Sequence, residues 1–340
     1  MAVTAMVLVL PFLIKKVEHN LEIFLFVMGC IAMTVSSAWN LKIVHEALVE
    51  PIKIAVAVFI AGILFQRLQP LVKSGVDYFE EILGIKLFVL LLIILLGILS
   101  SVITAIIAAL FLVEIINVIK LDRKSEVKIV VLACFSIGIG AALTPIGEPL
   151  STILVAKLKD APYYANFWFP FTHFAVYILP GILVIGAFSW FITERKVRDE
   201  AATLHEDEPP EGFKDVLLRT AKVYLFVMAL IFLGTGFRPV IDLYIIKLPS
   251  AVLYWVNMIS AILDNATLVA AEISPGMEIE QIKDAVMALI ISGGMLIPGN
   301  IPNIISANKL KIGSREWAMF GVPVGLVLMV VYFIVLMFIK

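Results

Sequence analysis

Ten apolar runs set the terms for this chain, at about 2–14, 21–39, 52–66, 87–119, 127–158, 165–192, 221–236, 248–275, 281–308 and 316–339. A helix that crosses a bilayer needs roughly 20 residues at about 1.5 Å each, and most of the runs come near or exceed that length. The first is short for a span. Hydrophobic residues make up 61% of the 340 and charged residues only 16%, with a mean hydropathy of +1.05. Soluble domains sit nearer half apolar and a quarter charged. The chain is therefore expected to be an all-α integral membrane protein, with the lipid bilayer as its solvent.

The same composition closes other routes. Near-balanced charge, 26 Lys+Arg against 27 Asp+Glu, leaves no basic stripe for nucleic acid. Cys30 and Cys134 lie in apolar stretches without a CxxC or a His partner, and read as small buried side chains rather than disulfide or zinc ligands. No HExxH, GxSxG or His/Asp cluster occurs in the spans, so an intramembrane enzyme is not expected. Lys15 and Lys16 follow the first apolar run instead of preceding it, the reverse of a secretory signal peptide, which favours an N-terminus outside.

The run at 87–119 is too long for one ordinary span. It is either one very long helix or two half-helices meeting at Ser100-Ser101 as a re-entrant hairpin. Loop charge decides. If 87–119 and 248–275 both return to their own side, eighteen of the 26 Lys+Arg fall on one face; if both cross once, the split is 12 against 14. Only the first arrangement obeys the positive-inside rule. Three crossings, 127–158, 165–192 and 221–236, then separate the hairpins, and an odd number makes the two units enter from opposite faces.

The expected architecture is thus an inverted-repeat secondary transporter with two re-entrant hairpins and two broken helices. N-terminal spans occupy 1–51. The first repeat covers 52–192, with hairpin 87–119 and broken helix 127–158, and a cytoplasmic linker covers 193–220. The second repeat covers 221–340, with hairpin 248–275 and broken helix 281–308. The chain is placed in the cytoplasmic (inner) membrane, multi-pass, with both termini outside. Residues 70–83 read as an interfacial helix leading into the first hairpin, and 238–247 as a counterpart before the second.

Each half carries the same device. Ser100-Ser101-Val102-Ile103-Thr104-Ala105 and Ser260-Ala261-Ile262-Leu263-Asp264-Asn265 interrupt the hairpins. Thr144-Pro145-Ile146-Gly147-Glu148-Pro149 and Ile297-Pro298-Gly299-Asn300-Ile301-Pro302 interrupt the helices that follow. Interrupted hydrophobic segments in matching positions of two halves point to a transporter's binding site near the bilayer midplane.

Asp264 is the sharpest single residue, because an intramembrane carboxylate is costly to insert. With Ser260, Asn265 and Thr267 it offers the carboxylate, amide and hydroxyl oxygens that a hard cation takes in exchange for water. Its structural alternative is a helix cap. Glu148, between Gly147 and Pro149, is the second acid, with the carbonyls of Leu143, Thr144 and Ile146 around it. Asn300 is its counterpart in the second half, with Asn303 one turn on, and Thr104 and Ala105 match Asp264 in the first. Asp264, Asn265 and Glu148 are the expected ligands of a monovalent cation; Ser260, Thr267, Thr144, Asn300, Asn303, Thr104 and Ser101 complete the candidate site. The acids are crossed between the halves, which suits trading a proton for a cation, since burial favours the proton and a bound cation displaces it.

Other polar groups read more plainly. Glu114, Asn117 and Glu272 are taken as interface anchors close enough to the membrane surface to reach water, and His173 as a packing histidine. The half-helices beginning near Pro149 and Pro302 aim partial positive charge at the same place, which suits an anion. The full charges of Asp264 and Glu148 outweigh them.

The run Ser260 to Ala271, Ser-Ala-Ile-Leu-Asp-Asn-Ala-Thr-Leu-Val-Ala-Ala, resembles the S-A-x-x-D-N motif of the antiporter and arsenite branches of the ion transporter superfamily. That superfamily includes the arsenite permeases, the NhaD- and NhaB-type sodium/proton antiporters and the divalent-anion/sodium symporters. Gly293 to Ile304, Gly-Gly-Met-Leu-Ile-Pro-Gly-Asn-Ile-Pro-Asn-Ile, resembles their second, Gly- and Asn-rich broken helix. Within the superfamily the chain looks closest to a small group of candidate cation transporters, over roughly residues 50 to 340 in order of elements.

The resemblance implies two inverted repeats around a central ion site. It carries over Asp264 and Asn265 as ion-binding residues, with Ser260 and Thr267 beside them. The first hairpin departs from the pattern, having Thr104-Ala105 where an acid-amide or Ser-Asn-Thr sequence is expected, and the chain is shorter than the common members. The expected activity is secondary transport of sodium or another monovalent cation against protons by alternating access. A sodium-coupled carrier of a small anion is the alternative, and a passive channel the third. No cofactor is expected; Na⁺ and H⁺ are cargo. The expected partners are lipid and the small ion, and a homodimer is left open.

Overall fold

The structure, a computed structural model, describes all residues except 1, 2, 4, 5, 8, 9, 11, 12, 19, 120, 194–212, 241–247, 264, 339 and 340. Among the described residues every regular element is a helix. Helix α1 (Leu21–Val35) leads into the helical run Leu41–Ile103, which Gly84 (φ 72°, ψ 152°) divides into α2 (41–83) and α3 (85–103). There follow α4 (Ala105–Val118), α5 (Arg123–Ala141), α6 (Pro149–Lys157), α7 (Phe169–Ile192) and α8 (Phe213–Val240). The last part holds α9 (Ser250–Val256, continued by a 3₁₀ turn, Asn257–Ala261), α10 (Asn265–Glu272), α11 (Ile279–Ser292), α12 (Ile301–Lys309) and α13 (Ser314–Phe338).

Several helix starts are fixed by side chains that satisfy first-turn amides, each such cap being worth about 1 kcal/mol. Asn40 Oδ1 accepts from Ile43 N (2.9 Å) at the start of α2, and Asp122 Oδ2 accepts from Lys124 N and Ser125 N (3.1 Å each) at α5. Beyond these caps the amide-to-carbonyl ladders of the helices run through apolar sequence. Among the described residues, four helices are long and apolar enough to cross a membrane: Tyr78–Ile103, Phe169–Ile192, Val216–Pro239 and Ser314–Phe338. Their outer faces are unshielded hydrocarbon, with Val184, Phe188 and Phe191 on α7 and Val327, Val331, Ile334 and Phe338 on α13 all exposed. Surface of this kind suits lipid rather than water, and the protein is an all-α membrane protein.

The helices pack in two layers. A peripheral layer holds α1, the first part of α2, and α8, joined by Met33, Ala47, Met228 and Phe232. Glu22 pairs with Lys222 across it (3.1 Å), and the Tyr224 hydroxyl donates to Leu48 O (2.8 Å). The second layer is built around α5 and α11, buried along most of their length. Close approach there is permitted by missing side chains: a Cβ at Gly140 would stand 1.8 Å from Gly97 O on α3. Arg123 locks α5 to the start of α13, pairing with Glu316 (2.9 Å) and donating to Leu310 O (2.9 Å) and Lys311 O (2.8 Å).

Within the second layer, bonds recur in register. Ser100 Oγ reaches Ile137 O (3.0 Å) and Ser260 Oγ reaches Leu289 O (3.1 Å). Helices α6 and α12 are both nine residues long, both follow an extended residue, Glu148 (φ −154°) or Asn300 (φ −153°), and both end in lysine. The glycines just before them also match. A Cβ at Gly147 would lie 2.0 Å from Ala141 O, and one at Gly299 would lie 2.5 Å from Gly293 O.

Four sequence expectations change. The run 87–119 breaks at Thr104, not at Ser100-Ser101, because both serine hydroxyls bond back to carbonyls of their own helix, Gly97 O (2.7 Å) and Ile98 O (2.8 Å). Residues 70–83 are not a separate interfacial helix but the continuation of α2 from Leu41, no residue before Gly84 departing from helical backbone. Residues 213–220, expected within the linker, are helical and part of α8; residues 194–212 lie outside the described residues, as does most of 238–247. Glu272 does not reach water, being 2% exposed.

Candidate functional site

A cavity of about 670 Å³ lies between the two layers. The second layer supplies the starts of four helices: Thr104 and Ala105 before and on α4, Glu148 and Pro149 at α6, Asn265 and Ala266 on α10, and Asn300 and Ile301 at α12. All four come from the interrupted motifs of the sequence. The peripheral layer supplies Ile43, Glu46 and Glu50 from α2, and Leu230, Thr235 and Arg238 from α8.

The chain reaches this arrangement by breaking its helices where they would otherwise fill the space. Thr104 holds φ 77° and ψ 149°, a conformation that glycine adopts readily and a β-branched residue does not. Such a residue carries about 1–3 kcal/mol of strain and persists where its surroundings hold it. Here Ala105 N donates to Gly147 O (2.9 Å), fastening the first hairpin to the first broken helix, and the Thr104 hydroxyl accepts from Ile107 N (3.4 Å). At α6 and α12 a proline in the first turn removes one amide that needs a partner. Glu148 and Asn300 occupy the capping positions, yet neither side chain makes a capping hydrogen bond. Both are almost wholly buried.

The sequence candidates divide into three groups. Glu148, Asn265, Asn300 and Thr104 line the cavity. Ser101, Thr144, Ser260 and Asn303 are buried behind it and hold its walls. The Thr144 hydroxyl donates to Ser101 O (2.5 Å), Ser260 Oγ bonds Asn265 Oδ1, and Asn303 Nδ2 donates to Gly293 O and Leu296 O (2.9 Å each). Asp264 and the side chain of Thr267 lie outside the described residues. Glu114 is paired with Lys309 (3.7 Å), and His173 stacks on Phe169 (4.1 Å between ring centres).

Three charged wall residues were not singled out from sequence. Glu46 and Glu50 stand one helical turn apart on α2, and Arg238 sits in the last turn of α8. The i, i+4 spacing of two acids beside an apolar run was the available signal. Chemically, the cavity combines carboxylates, amide groups and four helix N-termini, each carrying partial positive charge. Among the described residues, no three His, Cys, Asp or Glu side chains gather as a metal cluster.

Fold and cavity together define a helical membrane protein with interrupted helices meeting at one internal site. The chain belongs to the family described as "Protein of unknown function (DUF1646)", whose model matches residues 1–339. No curated protein matches it.

Proposed function

We propose that this protein is a secondary transporter that exchanges a monovalent cation, sodium or a close relative, for protons. The observation that carries the reading is the convergence of four interrupted-helix starts, with Glu148, Asn265 and Asn300 among them, on one cavity between two packing layers. A cavity at a layer boundary can open to either side when one layer moves against the other, which is what alternating access requires. The matched bonds of Ser100 and Ser260, and the matched geometry of α6 and α12, support two structural repeats. In this reading the repeats are inverted, α3–α4 and α9–α10 are re-entrant hairpins, and the protein spans the cytoplasmic membrane with both termini outside.

Asp264 and Asn265 from one hairpin and Glu148 from the opposite broken helix ligate the cation. Protonated carboxyls cannot do so, and apparent cation affinity weakens by up to about tenfold per pH unit for each proton displaced. Purified protein in proteoliposomes with an internal pH dye, challenged in turn with Na⁺, Li⁺, K⁺ and small dicarboxylates, tests the proposal. Cation-driven proton movement is the expected result, and Glu148→Gln should flatten its pH dependence or abolish it. Cation affinity independent of pH would refute direct proton competition.

One observation favours a second reading. Four helix N-termini around one cavity present converging positive potential, the usual setting for an anion. In that case a small dicarboxylate or oxyanion is carried with sodium, and uptake of the anion without proton countermovement distinguishes it.

A further inference from the structure

We infer that Glu272 and Asn257 form a buried proton-binding site, apart from the cavity, in which Glu272 carries its proton as a neutral acid. Glu272 ends α10 and Asn257 opens the 3₁₀ turn after α9; they are 2% and 0% exposed. Asn257 Nδ2 donates to Glu272 Oε2 at 2.9 Å. Among the described residues, the other oxygen of each group, Glu272 Oε1 and Asn257 Oδ1, has no hydrogen-bond partner. Both are acceptors. Burying a carboxylate without a counter-charge is unfavourable, and so is leaving a buried amide oxygen without a donor. One proton removes both penalties. Amide and carboxyl are matching forks: with Nδ2 on Oε2, a proton on Oε1 gives the acid a donor for Oδ1. Turning the amide over exchanges the oxygens without removing the need for the proton.

Among the described residues, no charged side chain compensates Glu272. Helix α10 packs against α6, α8 and α11. Their charged residues with described side chains are Lys157 on α6, Lys214, Lys222 and Arg238 on α8, and Glu280, Lys283 and Asp284 on α11, and none pairs with Glu272; Asp284 accepts from Ser250 Oγ (2.6 Å). Nor does the fold require a polar pair at this crossing. In the register set by Ser100 and Ser260, the corresponding places in the first repeat are Gly97 and Leu112, the latter fully buried. Loss of the proton would set a bare carboxylate against the Asn257 oxygen and loosen α10, which carries Asn265 to the cavity, from the 3₁₀ turn.

The site can be read on the protein at rest, without transport and without the cation reading above. Infrared spectra of purified protein in nanodiscs at neutral pH should contain the carbonyl band of a protonated carboxyl group. The band should vanish in Glu272→Gln and persist in Glu148→Gln. In Asn257→Leu it should shift toward the position of an acid without a hydrogen-bond partner. Identical spectra for wild type and Glu272→Gln mean that Glu272 is ionised and overturn the inference. If Glu272→Gln does not fold, Asn257→Leu decides: an unshifted band overturns the pairing.

Discussion

Gly138 and Gly140, two residues apart on α5, separate the candidate site from the framework that carries it. A Cβ on Gly138 would stand 2.5 Å from Asn300 Nδ2, with the next atom, Asn300 Cγ, at 3.7 Å. Carbon contacts become comfortable near about 3.5 Å, so the amide must withdraw by about 1 Å. Rotation at the end of one side chain achieves that, and the expected loss of stability is about 1 kcal/mol, the low end for an added methyl group. Binding is another matter. A hard cation holds its oxygen ligands at about 2.4 Å, and a ligand moved by about 1 Å is lost. One neutral ligand is worth about 1–2 kcal/mol, or roughly 5- to 30-fold in affinity.

Gly140 meets backbone instead, 1.8 Å from Gly97 O and 2.7 Å from Gly97 C. Neither atom can rotate away. Gly140→Ala therefore forces α5 and α3 apart, breaks the Ser100–Ile137 bond, and is expected to destabilise by about 3 kcal/mol or more. Thermal unfolding in detergent and ion titration in proteoliposomes separate the two. Gly138→Ala should keep its Tm and lose affinity, whereas Gly140→Ala should lose Tm. Wild-type affinity in Gly138→Ala would refute contact between the Asn300 amide and the ion.

Asp264→Asn should abolish coupled transport and leave Tm unchanged, because asparagine caps a helix about as well as aspartate; near-normal transport would return Asp264 to a capping role. For topology, Lys124→Cys should resist an impermeant thiol reagent in intact cells while Glu278→Cys reacts, and labelling of the first would refute the hairpin arrangement. Arg123→Ala should lower stability by about 1–2 kcal/mol, discounted for its partial exposure, and Arg123→Lys should restore only part, since an ammonium cannot make the guanidinium's forked contacts. An unchanged Tm in Arg123→Ala would mean that the α5–α13 lock contributes nothing.

What the sequence makes legible is what short-range chemistry controls. Long apolar runs give helices, and Pro149 and Pro302 mark starts that the structure has, because proline excludes itself from a helix interior wherever it stands. The break at Thr104 is not legible, since nothing local forces a threonine into a glycine-like conformation; the bond from Ala105 N to Gly147 O, distant in sequence, does. Serines 100 and 101 look like a break but end as helix, their hydroxyls satisfied by carbonyls one turn back. Glu46, Glu50 and Arg238 reach the cavity only through packing of α2 and α8, which periodicity alone does not orient. Glu272 is hidden for a similar reason, as its burial depends on Asn257 fifteen residues earlier.

Gly84 joins the layers in a way that neither packing nor hydrogen bonding describes. It is the junction at which α2 becomes α3, and a Cβ placed there would meet nothing within 4 Å, so no side-chain contact at that position opposes a change in its torsions. Helix α3 beyond it is a rod of roughly 28 Å at about 1.5 Å per residue, with Thr104 at its tip. A swing of about 10° at the pivot displaces that tip by about 5 Å on the same rise. Leverage of this kind couples a torsion at one glycine far from the cavity to the position of a residue on its wall.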